Sequence, residues 1–223
     1  MFFTRIYMGN VGLLLSGAAL FLNSLVMLGK ADEKSAGVFN IFVGILQIMI
    51  PFYLIVVSDQ RNWTVYLYAA TFLFGLTYLY VGVTFIAGLK GDGLGWFSLW
   101  VAIIALFYMI VAIIHFHDIV NALTWLMWAF LWFLFFISNA QKKNINYYIG
   151  KIAFVQSWVT LTCPALLSLI GVWETSYVYN LWICISILSI IYFCVCTFKL
   201  KGNVNTVHNN MDTHTIEKFG NTK

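Results

Sequence analysis

Seven runs of about twenty apolar residues follow one another along this chain, joined by connections of a handful of residues. At about 1.5 Å of helical rise per residue, each run is long enough to cross a hydrocarbon core about 30 Å thick. The runs cover 8–29, 37–57, 63–88, 95–114, 119–140, 148–171 and 177–198, joined by KADEKSA, SDQRN, LKGDGLG, HFHD, QKKNINY and VWETS. Only 9% of the 223 residues are charged, against about 25% in a soluble domain. So few charges cannot cover a water-facing surface. The expected fold is all-α: a polytopic membrane bundle of seven transmembrane helices, with residues 1–198 as one domain. After Phe198 the text turns polar, and residues 199–223 read as a disordered cytoplasmic tail.

The cationic residues set the expected orientation. With the N-terminus outside, Lys30, Lys34, Lys90, Lys142, Lys143, Lys151, Lys199, Lys201, Lys218 and Lys223 fall inside. Only Arg5 and Arg61 fall outside, so the chain is expected N-out and C-in. The first run follows Arg5 like a secretory leader but lacks a convincing small-residue cleavage site, and its length suits a span. A retinal protein is excluded, since the last span contains no lysine for a Schiff base. A net charge of +4, dispersed along the chain, gives no nucleic-acid footprint. Cys163, Cys184, Cys194 and Cys196 lie in apolar stretches and read as buried thiols; no metal or cofactor motif is present.

No Asp, Glu, Lys, Arg or His sits in the middle of a span; Lys151 is close enough to an end to snorkel inward. A charge at the bilayer centre costs about 2.5–3.5 kcal/mol on insertion scales and is kept where ion coupling needs it. Its absence argues against a pump, an ion-coupled carrier or a charged-ring ion channel. A transported solute would be neutral and move downhill. The deep polar groups are instead Asn23, Gln47, Thr77, Gln156, Ser157 and Thr160, each in need of a neighbouring helix or a polar lumen. Counted from the outer ends of their spans, Asn23 and Gln156 share a depth at which the two amides can meet.

Aromatics make the second pattern. Trp125, Trp128 and Trp132 fall at i, i+3 and i+7 on one face of the fifth span, and Phe74 and Tyr78 at i and i+4 on one face of the third. Trp132 and Phe74 lie at about equal depth. An aromatic stripe is more often helix packing than a site, and Trp125, near the outer edge, fits an interfacial belt. Two stripes at one depth beside buried amides favour a narrow slot. Flat aromatic walls pass a planar uncharged molecule without stripping an ion of its water. Indole N–H groups and amides would bond briefly to a carbonyl or amino group.

Four blocks give the chain a family likeness: ADEKSAGVFNIFVGIL between spans one and two, FLFGLTYLYVGV in span three, WLMWAFLW in span five, and the IAFVQSW…P run in span six. Over roughly residues 9–171 the chain resembles the AmiS/UreI family of bacterial urea and short-chain amide channels. The resemblance implies a hexameric ring in the bacterial plasma (inner) membrane, each protomer with its own pore. Urea or a small amide would pass passively toward a cytoplasmic urease or amidase. It carries constriction roles onto Phe74, Tyr78, Trp125, Trp128 and Trp132, and pore-lining roles onto Leu13 and Asn23. Where better-known urea channels place a pore glutamate in span six, this chain has Gln156, which favours amides. The seventh span is additional to the family's six and is expected to pack outside the bundle or between protomers.

Some members of that family are gated by external acid. Here His115, His117 and Asp118 stand at an outer end, and histidine changes charge between about pH 5 and 8. They mark a candidate pH sensor or a solvated connection. Two other classes compete with a channel. A membrane enzyme would have only this HFHD cluster as acid–base machinery, with no nucleophile or second carboxylate nearby. A non-transporting sensor or scaffold subunit would need the tail to dock a partner, and the tail has no amphipathic period.

Overall fold

The computed structural model describes the backbone of residues 2–220 and the side chains of residues 8–198. Arg5 and the four tail lysines used in the charge count lie outside the described side chains. The backbone forms α1 (Phe2–Met27), α2 (Glu33–Val56), α3 (Asn62–Ala87), α4 (Asp92–Ile114) and α5 (Ile119–Asn139). It continues as α6 (Asn146–Gln156), a π-helical stretch (Ser157–Thr162), α7 (Cys163–Leu169) and α8 (Ser176–Gly220). The described residues contain no strand, and 7 segments are long and apolar enough to cross a membrane. The chain is a multi-pass helical membrane protein.

The helices α1 to α6 close into a ring in which α1 touches both α2 and α6. The most extensive packing is α2 on α3 and α4 on α5, while the α3–α4 and α5–α6 seams are light. Glycines explain the first pair. Gly37 and Gly44 on α2 and Gly75 and Gly82 on α3 each lie seven residues apart, so their small surfaces meet across the seam. A Cβ on Gly44 would come within 2.8 Å of the backbone nitrogen of Leu79, and one on Gly82 within 2.9 Å of the Gly37 carbonyl. Pro51, inside α2, lacks the N–H that would bond the Gln47 carbonyl four residues back. Gly75 lets α3 approach that same carbonyl, which a Cβ there would meet at 2.9 Å.

Caps set the helix starts. Asp32 accepts from the Ser35 N–H at 2.8 Å and begins α2 at Glu33, four residues before the start expected from hydropathy. Asp118 accepts from the Asn121 N–H at 3.0 Å and begins α5. Gly88 closes α3 in the left-handed region at φ 62°. At the end that the charge count places inside, Asp92 pairs with Lys142, and exposed Lys151 reaches 4.5 Å from the Tyr147 ring centre.

The sixth span is built differently. Its π stretch bonds the Cys163 N–H to the Trp158 carbonyl, five residues back. Pro164 has no N–H to offer the carbonyl of Val159, five residues before it. Trp182 of α8 supplies the missing donor, with its indole N–H 2.9 Å from the Val159 oxygen. The seventh span is thus keyed to the bundle at an orphaned carbonyl. Tyr179 adds a second link, its hydroxyl accepting from the Ile119 N–H at 2.9 Å.

From Ile187 onward the chain forms a separate unit, a single helix with Leu188, Ile191 and Phe198 exposed. Its backbone is helical through Gly220, past the boundary at 198 where the sequence reading begins a disordered tail. Once a long apolar helix is nucleated, each further residue needs only a propagation step.

Candidate functional site

The end bearing connections 57–61 and 115–118 is called outer here, following the charge count. Inside the helix ring three cavities follow in series. An outer cavity of about 200 Å³ is lined by Leu13, Ser16, Gln47, Tyr66, Phe74, Tyr108, Trp125 and Trp128, among others. A waist of about 40 Å³ lies between Leu20, Asn23, Phe74, Thr77, Tyr78, Trp128 and Trp132. An inner cavity of about 390 Å³ takes Asn23, Glu33, Thr77, Thr84, Ser98 and Asn139 into its wall. Phe74 and Trp128 belong to the outer cavity and the waist, Asn23 and Thr77 to the waist and the inner cavity. The waist has the volume of about one water molecule. A larger solute passes only as its side chains yield.

The rings of the waist hold one another. Phe74 stands 4.6 Å from Trp128 at an interplanar angle of 76°, and 5.0 Å from Trp132 at 55°. Trp125 meets Trp128 edge to face at 4.8 Å and stacks on Tyr108 at 4.5 Å. Tyr108 stacks on Tyr66 at 4.3 Å, and its hydroxyl donates to the Tyr66 carbonyl at 3.0 Å. Trp125 is only 5% exposed, so it is a wall of the outer cavity and not a belt residue at the membrane surface.

The indole N–H groups of Trp128 and Trp132 are already engaged. Trp128 Nε1 donates to Thr160 Oγ1 at 2.9 Å, and Trp132 Nε1 to Thr77 Oγ1 at 3.3 Å. Each threonine hydroxyl donates in turn to the carbonyl four residues back, of Gln156 and Leu73. These bonds fix the ring planes and remove the donors expected to meet a solute. Tyr78 donates its hydroxyl to the Ser16 carbonyl at 3.0 Å. The waist therefore offers apolar faces with their polar edges tied back, a surface that cannot replace an ion's water.

The buried amides also find partners other than those expected. Asn23 and Asn40 exchange hydrogen bonds at 2.9 and 2.6 Å, and Asn40 Nδ2 also donates to the Ala36 carbonyl. Gln156 does not meet Asn23: its Nε2 donates to the Met127 carbonyl at 2.8 Å, and it lines none of these three cavities. Gln47 is 2% exposed and donates through Nε2 to the Gly12 carbonyl at 2.9 Å and to Ser16 Oγ. Asn40, Ser16, Tyr66 and Tyr108 were missed from sequence. Asp32 as N-cap would have revealed Asn40, since it moves the helix start and puts that residue two turns deep. Stepping back from Phe74 by helical turns would have reached Tyr66.

The outer cluster is dispersed. His115 is exposed and stacks on Trp63 with ring centres 3.7 Å apart, whereas His117 is exposed at φ 51°. Asp118 caps α5 and lies 3.4 Å from the Tyr179 hydroxyl. It belongs to a side cleft of about 420 Å³ that also includes Leu13, Thr160, Glu174 and Tyr179. On the 57–61 connection, the backbone N–H of Arg61 and the Thr64 hydroxyl hold the exposed Asp59 carboxyl below its usual range. Among the described residues no group of three or more His, Cys, Asp or Glu gathers as metal ligands.

A ring of membrane-spanning helices enclosing two chambers joined by an aromatic waist defines a membrane channel. The sequence profile described as AmiS/UreI family transporter matches residues 8–172, and the chain belongs to that family. It is 41% identical to a Rhodococcus erythropolis protein described as transporter AmiS2, covering 76% of this chain and 82% of the relative. It is 38% identical to a Mycolicibacterium smegmatis protein described as a transporter of amidate substrates, covering 75% and 79%. The solved Helicobacter pylori urea channel in its closed state superposes with a TM-score of 0.65 at 31% identity, covering 72% of this chain and 97% of that one. The family match ends at 172, so α8 lies beyond it.

Proposed function

We propose that this protein is a passive channel for short-chain amides and urea in a bacterial plasma membrane. The observation that carries the reading is the waist: aromatic faces from α3 and α5 whose polar edges are bonded inward, set between two chambers that hold polar groups. Such a passage selects against charge by desolvation and against bulk by width. Phe74, Tyr78, Trp128 and Trp132 form the constriction, Thr77 and Asn23 its inner edge, and Leu13 and Trp125 its outer approach. Gln156 supports α5 from behind. Amides are the favoured cargo, because the relatives at 41% and 38% identity are described as AmiS2 and amidate transporters. The protein works as a homo-hexamer, N-terminus outside, and delivers its solute to a cytoplasmic amidase or urease.

Stopped-flow light scattering on proteoliposomes tests this, with acetamide, urea, glycerol and salt gradients. Fast acetamide or urea flux with glycerol and salt excluded is the expected result. Flux no faster than in empty liposomes, with assembly verified, overturns it. Acid gating is a second reading, favoured by the stack of exposed His115 on Trp63, which leads through Tyr66 and Tyr108 to Trp125. Equal uptake at about pH 5 and about pH 7.5, spanning the histidine range, disposes of it.

A further inference from the structure

Two residues that line the outer cavity each carry a polar atom that the protein leaves without a hydrogen-bond partner: Gln47 Oε1 and the Tyr66 hydroxyl. Both are buried, and a buried polar atom left unpaired costs about 1–3 kcal/mol unless something bonds to it. Nearly all buried polar groups are satisfied by protein or water, so two unpaired ones on one cavity mark a place that expects a ligand.

The orientation of Gln47 is determined by its neighbours. The Gly12 carbonyl can only accept, so the atom 2.9 Å from it is the side-chain nitrogen, and the oxygen is the free end. Ser16 Oγ receives the same amide nitrogen, so the side chain is tied to α1 twice. Glycine at position 12 leaves room for the free oxygen, because a Cβ there would lie 2.9 Å from it. Tyr66 is likewise immobilised, stacked on Tyr108 with its hydroxyl unused. The residues that carry this fixed acceptor and this hydroxyl both line the chamber immediately outside the Phe74–Trp128 waist.

We infer that Gln47 Oε1 and the Tyr66 hydroxyl form a recognition subsite for the N–H groups of a planar amide or urea. This rests on the channel reading above and deepens it by naming what the solute must carry. The waist offers no free polar edge, so hydrogen-bond selection falls to the chamber before it. The solute's N–H groups donate hydrogen bonds to Gln47 Oε1 and to the Tyr66 hydroxyl oxygen, and the flat molecule enters the aromatic slot already aligned. A planar solute whose nitrogen carries only methyl groups has no N–H to donate to these two oxygens and is disfavoured.

The test compares permeabilities of urea and N,N-dimethylformamide, a planar amide with no N–H, through native protein, Tyr66→Phe and Gln47→Leu in proteoliposomes. Tyr66→Phe removes only an unpartnered hydroxyl and leaves the ring stack, so the fold is retained. The urea-to-dimethylformamide ratio is expected to fall about five-fold in Tyr66→Phe, the effect of one hydrogen bond, and at least as far in Gln47→Leu. Size exclusion by the waist is common to all three proteins and cancels in the comparison. If native protein conducts and Tyr66→Phe keeps the native ratio, the subsite is overturned while the channel stands. If native protein conducts neither amide nor urea, the channel reading falls and takes the subsite with it.

Discussion

The two chambers on either side of the waist are built from different chemistry. The outer one is walled by stacked rings, Tyr66 on Tyr108 and Tyr108 on Trp125, with two polar atoms left unpaired. The inner one is about twice as large and lined by Asn23, Glu33, Thr84, Ser98 and Asn139. A solute entering from outside meets a rigid, sparsely polar wall that examines its shape and its N–H groups. After the waist it meets a larger chamber whose wall mixes these polar groups with Val81, Phe85, Leu94 and Phe135. The difference assigns selection to one side and release to the other, as conduction requires binding weak enough to leave.

Removing the partition between the chambers has the largest expected effect. Trp128→Ala deletes the ring shared by the outer chamber and the waist, costing about 3–5 kcal/mol of packing and opening a gap. Glycerol exclusion should then be lost in stopped-flow traces; retained exclusion in an assembled variant would mean Trp128 does not form the barrier. Trp182→Phe tests whether the seventh span matters to the outer half. It orphans the Val159 carbonyl and should destabilise the bundle by about 1–3 kcal/mol, read as a lower melting temperature in detergent. An unchanged melt removes α8 from the picture.

Smaller effects sharpen the contrast. Thr84→Val in the inner chamber removes a buried hydroxyl that has no partner, and urea or acetamide flux should stay within about two-fold of native. A large loss there would place selection on the wrong side. Asp59→Asn is expected to do least. The folded carboxyl titrates below its ordinary value of 3.8, so its contribution is present above that pH and lost as pH falls through the folded value. The variant should lower the melting temperature slightly at neutral pH and match native protein in strong acid.

Much of this architecture is legible before any coordinates. Hydropathy locates all seven spans because a membrane imposes one length on every crossing. The stripes of Trp125, Trp128 and Trp132, and of Phe74 and Tyr78, follow from helical period alone, and the structure brings them together. What period cannot give is the partner across a seam. Nothing in one helix says that Trp128 and Trp132 bond to Thr160 and Thr77, or that Asn23 chooses Asn40 over Gln156. Hydropathy also blurs polar helix starts, which is why Asn40 sat at an expected edge and was passed over. The irregularity before Pro164 was invisible for a related reason: a hydrophobic run reads alike whether each turn holds about 3.6 residues or more.

That wider turn at Ser157–Thr162 has a consequence for how the molecule tolerates change. One surplus residue turns everything beyond it by about 100° relative to a regular helix. Thr160, under the Trp128 indole, and Val159, beneath Trp182, both lie inside that stretch. Deleting a single position within the stretch would leave every side-chain type in place and rewind the two halves of the sixth crossing like a combination lock moved one notch.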